Sequence, residues 1–302
     1  MALSTKTIVS KIKSVKNIRK ITKAMELVAA SKMKKAVERA LNSREYAEAF
    51  LNLLVFLSKD IYNKHPLLEE GKGDRDLILV IASNKGLCGG FNTAVSKKVV
   101  DNIKTNLDIE KTDFVTIGKN GERIAKRINK NIVASFLDFS EHVHIDDIYG
   151  LAKLIINEFI SGKYKGVYIC ATDYVSSISY KPYFHAVLPI SRDVVKNAIE
   201  KTGPHRKSQD LIFENMSVYE FEPNEEEILG VVLSRLVEVQ IYQSLLDSFA
   251  SEHSARMFAM KNASDNAKEF LSDLELSYNK ARQAAVTDQI SEIAAGAEAL
   301  RV

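Results

Sequence analysis

Residues that break helices are scarce in this chain. Its 302 residues include 13 glycines and 5 prolines, where average usage of about 7% and 5% gives roughly 21 and 15. The deficit is uneven: all five prolines (Pro66, Pro182, Pro189, Pro204, Pro223) and every glycine except Gly230 and Gly296 lie between residues 66 and 223. Both ends are thus free to run as long helices, and the middle carries the turns. Cysteine is nearly missing as well. Cys88 and Cys170 cannot build a disulfide framework, which points to a reducing compartment. No apolar run approaches the ~18 residues of a membrane span and no signal peptide opens the sequence, so direct membrane insertion is not expected. With 46% hydrophobic and 27% charged residues, the composition excludes a disordered or fibrous chain and supports one or two packed cores.

Positive charge is concentrated at one end. Residues 1–44 hold nine Lys and three Arg against Glu26 and Glu38, a net of +10, whereas residues 224–302 hold seven basic and thirteen acidic residues, a net of −6. The whole-chain value of +3 conceals this division. A basic first helix beside an acidic last one is the arrangement expected of it. A basic arm for nucleic acid or anionic lipid is the competing reading.

From Thr7 to about Lys59 apolar side chains recur at steps of three and four: Ile8, Ile12, Val15, Ile18, Ile21, Met25, Val28, Ala29, Met33, Ala36, Ala40 and Ala47. This spacing predicts one helical stripe, about 80 Å long, with Lys11, Lys13, Lys16, Arg19, Lys20, Lys23, Lys32, Lys34 and Lys35 around it. A second helix is predicted after Pro223, with Asn224 as N-cap and Glu225 to Glu227 at its positive end. Its apolar positions run from Leu229 through Leu236, Leu246, Met260, Leu271 and Tyr278 to Ala285. Carried to Leu300, it spans about 115 Å. Helices this long cannot bury their stripes in a globule, so they are expected to pair as an antiparallel coiled coil, with the C-terminal helix projecting beyond its partner. From Ala281 onward the side chains are mainly small, which reads as a slender rod or simply as good helix composition.

Between the helices, short buried-strand runs alternate with amphipathic segments. Leu77–Ala82, Phe114–Ile117, Ile132–Phe139 and Val167–Ala171 read as strands; Thr93–Ile103, Gly121–Ile128 and Ile145–Ile160 read as helices. This alternation predicts a doubly wound, Rossmann-like parallel sheet. Residues 177–190 and 211–222 read as added strands around a polar loop, Lys201–Gln209. The fold class is therefore α/β: a long antiparallel coiled coil of the N- and C-terminal helices (1–65 and 224–302) plus a central doubly wound domain (66–223).

The turn Ser83–Asn92 follows the first strand, where doubly wound folds place ligands. Its glycines, Gly86, Gly89 and Gly90, match neither G-x-G-x-x-G nor G-x-x-x-x-G-K-[ST], so a nucleotide cofactor is not expected. Cys88 could serve as a nucleophile beside a helix start, or as a small buried residue; no histidine stands near it in sequence as a base. His142 and His144 beside Asp146 and Asp147 admit a metal or a plain surface loop, and two cysteines eighty-odd residues apart offer no zinc spacing. No catalytic constellation, cofactor site or metal site identifies itself. Two classes other than a structural shaft stay open on these residues: an α/β enzyme using the Gly86–Gly90 turn, and a basic coiled-coil nucleic-acid binder.

Three segments carry a family resemblance. Ile18-Arg19-Lys20-Ile21-Thr22-Lys23-Ala24-Met25-Glu26-Leu27-Val28-Ala29-Ala30-Ser31-Lys32-Met33 resembles the N-terminal signature of the gamma subunit of the rotary F-type ATP synthase. The runs from Glu252 to Ala263, Tyr278 to Ala284 and Thr287 to Ile293 resemble its C-terminal signature, and Ser83–Asn92 its central motif. The resemblance covers the chain in order. It implies a shaft without an active site of its own, turning inside a hexamer of alpha and beta subunits while ion flow through a membrane ring drives its foot. Expected partners are the alpha and beta subunits, the epsilon subunit and the membrane c-ring, with no nucleic acid and no cofactor. Lys23, Met25 and Glu26 match positions at the coupling contact with beta; Arg256, Gln283, Thr287 and Glu292 match positions that serve contact with the catalytic head. The basic first helix is expected to face acidic loops of beta. No paired-cysteine insertion is present, so thiol switching is not expected. The implied location is the cytoplasmic face of a bacterial cell membrane, as a peripheral part of the complex.

Overall fold

The computed structural model describes residues 5–61, 65–190 and 225–299. Helix α1 (Thr5–Ile61) is followed by β1 (Arg75–Ile81), α2 (Phe91–Asn106), β2 (Thr112–Ile117), α3 (Lys119–Arg127), β3 (Ile132–Phe136), α4 (Ile145–Ile160), β4 (Tyr164–Tyr174), β5 (Tyr180–Leu188) and α5 (Glu225–Ala299). The 57 residues of α1 and the 75 of α5 correspond to about 85 Å and 110 Å of helix. Asn224, the polar loop 201–209 and the added strand 211–222 lie outside the described residues.

The five strands form one sheet in the order β3-β2-β1-β4-β5. β1 to β4 are mutually parallel, and β5 returns antiparallel against β4. Strand period decides which side chain serves which face. Leu77, Leu79 and Ile81 of β1 point to one side with α4 residues Ile148, Leu151 and Ile155; Ile78 and Val80 point to the other with Val95 and Val99 of α2 and Ile124 of α3. Both faces are covered, which is why the parallel strands read as continuous apolar runs instead of alternating ones. The α4 face also takes Ala36 and Ala40 of α1 and the stretch of α5 from Leu229 to Ala250. An 18-residue window of α5 is apolar enough to cross a membrane by composition, and 61% of it is buried inside the protein. It is a core helix. β3 is shorter than its sequence run because pairing with β2 ends at Ile117 and Phe136.

The chain divides into two compact units, Ala30–Ala255 and a second made of Met1–Ala29 with Arg256–Val302. In the second unit α1 and α5 pack side by side. Ile8, Thr22 and Ala29 are buried on α1, and Met260, Ser264, Ala267 and Leu271 on α5. Lys16 pairs with Glu275 at 3.2 Å in this unit, and in the other Gln243 Nε2 donates to the Ala40 carbonyl at 3.4 Å. Within Ala30–Ala255, Lys32 and His253 both approach Glu141 while Ala40 meets Gln243, so residue numbers fall along α5 as they rise along α1, the antiparallel sense. The Lys16–Glu275 pair is solvent-exposed on both sides, and such pairs contribute little. The seam, not the charge division, holds the helices together.

The seam's register differs from the stripe expected of the sequence. Ile8, Val15, Thr22, Ala29 and Ala36 follow one another at seven residues, with Ile12, Glu26, Met33 and Ala40 four residues on from every member but Val15. That is a heptad repeat. Ile18, Ile21 and Val28, assigned to the same stripe by their hydrophobicity, stand outside it at 53%, 60% and 57% exposure. The polar Thr22 takes a seam position because its hydroxyl donates to the Arg19 carbonyl at 3.1 Å, so its burial strands no donor.

Candidate coupling interface

In a doubly wound sheet the ligand crevice opens beyond the C-terminal ends of the strands where strand order reverses, here between β1 and β4. Ser83, fully buried at the end of β1, is the hub of that region. Its backbone N–H donates to Asn92 Oδ1 at 3.2 Å, Asn92 Nδ2 donates to Ser83 Oγ at 2.8 Å, and Asn120 Nδ2 donates to the Ser83 carbonyl at 2.8 Å. Asn84 accepts from the Lys119 N–H and donates to the Leu137 carbonyl. Leu87 and Gly89 turn the loop with positive φ, 62° and 56°. The polar groups of the Ser83–Asn92 motif therefore bond to one another and to the neighbouring strand ends. Above them Cys88 and Phe91 form a small apolar cluster with Ala255 of α5, and Tyr180 packs against it.

Each open chemical reading meets this geometry. Cys88 is buried, and Asn92 Nδ2 donates to its sulfur at 3.2 Å, which accords with a small packed residue. Burial pushes the Cys170 thiol up to about 12, so it stays protonated and unreactive. His142 lies on the exposed loop 137–144, where Arg39 Nη2 approaches its Nδ1 at 3.4 Å; His144 precedes α4 and donates its N–H to Asp147 at 2.8 Å. Among the described residues no cluster of His, Cys, Asp and Glu fits a metal ion.

All seven candidate coupling residues fall in the unit built from the chain ends. Lys23 and Glu26 are brought together: Nζ lies 3.0 Å from both carboxylate oxygens, with Glu26 largely buried at the seam and Lys23 outside it. Met25 is half-buried on the same turn, beside the exposed Ile18, Ile21 and Val28. These four positions, spaced by three, four and three, make a second apolar face on α1. Sequence reasoning missed it by merging it with the seam. Both faces repeat at seven residues, so spacing alone does not separate them; burial does. Arg256 is buried. Gln283, Thr287 and Glu292 stand on the stretch 282–297 of α5, every residue of which is exposed. Gln283 and Thr287 share a face with Ile290 at steps of four and three, and Glu292 points to the opposite side. The exposed Val286, Ile290 and Ile293 add large apolar side chains to a tip expected to be almost wholly small.

The ATP synthase family model matches residues 4–300. An ATP synthase gamma chain of Cupriavidus pinatubonensis is 39% identical over 301 residues, covering 98% of this chain and 99% of that one. The chain belongs to the gamma-chain family of ATP synthase. A second gamma chain, from Roseiflexus castenholzii, is 38% identical over 301 residues and covers 98% of each chain. Among solved structures, a chain from the central stalk and c-ring of the Tetrahymena thermophila mitochondrial ATP synthase matches at TM-score 0.58 and 25% identity, covering 81% of this chain and 99% of that one. A chain from the Euglena gracilis mitochondrial enzyme matches at TM-score 0.68 and 17% identity, covering 98% and 94%, and shows the shared fold. Gamma chains are subunits of the synthase and not its catalytic ones.

Proposed function

We infer that this gamma chain is the turning shaft of its synthase and that it touches the catalytic head through Lys23, Met25 and Glu26 on α1 and Arg256, Gln283, Thr287 and Glu292 on α5. It carries no chemistry of its own and acts by differential contact: an asymmetric pair of helices, turned by ion flow through a membrane ring, favours a different conformation in each catalytic subunit it faces. Residues 1–65 and 224–302 supply the shaft, and residues 66–223 the foot that the ring turns. Its partners are the alpha and beta subunits, the ring and an epsilon subunit, in a complex peripheral to the cytoplasmic face of a bacterial membrane.

One observation carries this reading. Ile18, Ile21 and Val28 stay exposed on a helix whose seam accepts Thr22 and Glu26. Large apolar groups left outside while polar ones are taken inside mark a surface meant for another protein. Lys20 and Lys23 flank that surface and give it the positive rim that acidic loops of a beta subunit would meet. Affinity purification of the tagged chain from its native membranes tests the reading. Alpha, beta and ring subunits co-purify in stable proportion under it; a chain recovered alone, or with nucleic acid in a salt-sensitive complex, overturns it.

A further inference from the structure

Loop 137–144, between β3 and α4, meets both long helices within the unit Ala30–Ala255. The loop is itself well tied. Phe136 stacks on Phe139 at 5.8 Å, the Val143 N–H donates to the Ser140 carbonyl at 3.1 Å, and Tyr242 of α5 donates to the Val143 carbonyl at 3.4 Å. On it sits Glu141, whose carboxylate is only 11% exposed. Lys32 of α1 pairs with one carboxylate oxygen at 2.5 Å, and His253 Nε2 of α5 lies 3.7 Å from the other. One helical turn or more along α1, Arg39 donates to the Glu141 backbone carbonyl and reaches His142 Nδ1. Burial pushes the Glu141 carboxyl up, but Lys32, its own backbone and His253 outweigh this and hold it at about 2. It is therefore an anion at neutral pH.

The surroundings define what this anion does. Beside Lys32 and Arg39, Ala36 and Ala40 of α1 join the core shared by the foot and α5. A shallow contact of two alanines resists separation but interdigitates little, so it fixes the roll of the helix only weakly. Charge-assisted hydrogen bonds are directional, and a roll of a few tens of degrees breaks them. We propose that Glu141 is the positioning residue through which the foot holds α1 and α5 in fixed rotational register, so that torque on the foot turns both helices without slip. The apolar core keeps the helices seated; the Glu141 carboxylate and carbonyl set their angle. Lys32 and Arg39 lie seven residues apart on one face of α1, so both grip the same loop. On α5, Tyr242 donates to the Val143 carbonyl of the same loop, and His253 stands 3.7 Å from the Glu141 carboxylate as a longer electrostatic contact. Glu141 touches no reacting group.

The assignment rests on the rotor reading above, and its test separates the two. Membrane vesicles carrying the assembled complex are prepared with wild-type chain, with Glu141→Gln, and with the milder Lys32→Gln. ATP hydrolysis is measured with an uncoupler present, so that the shaft turns without load, and ion pumping per ATP is measured as the gradient builds. Both variants should hydrolyse ATP like wild type when unloaded, and lose roughly twofold or more of pumping per ATP at high gradient. The exchange Lys32→Glu with Glu141→Lys should recover most of that loss. Pumping equal to wild type at every gradient overturns the assignment. So does a parallel loss of unloaded hydrolysis and pumping in both variants, which marks a merely structural role. A wild-type chain that fails to enter a pumping complex overturns the rotor reading instead.

Discussion

Ile21 and Thr22 are neighbours in the chain and opposites in environment: Ile21 is 60% exposed and Thr22 9%. A helix stabilised for its own sake would have them the other way round. Ile21→Ser should therefore leave the stability of the purified chain within about 0.5 kcal/mol while reducing recovery of alpha and beta subunits with it. Ala29→Leu, on the seam, should cost about 1–3 kcal/mol by overpacking. Thermal melts and quantitative pull-downs read the two effects apart, and a destabilising Ile21→Ser would show that the seam has been misplaced.

Met25 lies half-buried between seam and outer face, on the turn that Lys23 and Glu26 bridge. Met25→Lys should leave the fold intact and weaken coupling, because it sets a new cation on the surface that meets beta. Ion pumping per ATP in vesicles should fall while hydrolysis persists; equal ratios in mutant and wild type would remove Met25 from the coupling set. Removing the residues after Gly296 should be tolerated, since the stretch of α5 leading to them, 282–297, is exposed throughout. Loss of assembly on that truncation would count against a slender rod.

The sheet was legible because its strands are buried on both faces. Leu77 to Ile81 and Val167 to Ala171 could be read without tertiary knowledge, since continuous apolar runs bounded by turn residues have few other uses. The antiparallel return of β5 agrees with the added strand expected over 177–190. The seam was less legible. Alanines at 29, 36 and 40 weigh little on any hydrophobicity scale, and Ile18, Ile21 and Val28 weigh much, so hydrophobicity alone merged the outer face with the seam. Glu141 was invisible, because its partners Lys32 and His253 lie more than a hundred residues away in sequence and only the fold brings them together. Gly230 is another case. A Cβ there would stand 3.2 Å from His65 Nε2, a neighbour that only the fold brings beside it, so the glycine makes room for a side chain.

Gly118 carries the sharpest backbone requirement in the foot. It has φ +83°, and a Cβ built on it would lie 2.2 Å from the Ala82 carbonyl oxygen, between β2 and α3. Gly118→Ala combines a left-handed conformation with a backbone clash and should destabilise by about 1–3 kcal/mol. Urea unfolding of the full chain measures it; an unchanged midpoint would place the turn elsewhere.

The foot should lose stability at both extremes of pH. Asp113 is buried and accepts from Arg75 at 2.6 and 3.1 Å and from the Tyr164 hydroxyl at 2.9 Å. Burial pushes its carboxyl up, but Arg75 and Tyr164 outweigh this and hold it below its ordinary 3.8, while Glu141 is held at about 2 against an ordinary 4.5. Both folded values lie below the unfolded ones, so their contribution is complete above about pH 5 and is lost as pH falls toward 2. Tyr164 goes the other way: burial and the Asp113 acceptor raise it from 10.0 to about 12, so its contribution is complete below pH 10 and is lost as pH climbs to 12. Melting temperatures across pH should show both falls. Glu141→Gln should flatten the acid limb and Tyr164→Phe the alkaline one, and limbs unchanged by these substitutions would refute the assignment.

Rotation tests the central claim most directly. With the alpha–beta head fixed to a surface and a visible probe attached through a single introduced cysteine on the exposed end of α4, addition of ATP should drive the probe in one direction for many turns. A probe that stays still while the same molecules hydrolyse ATP would contradict the account.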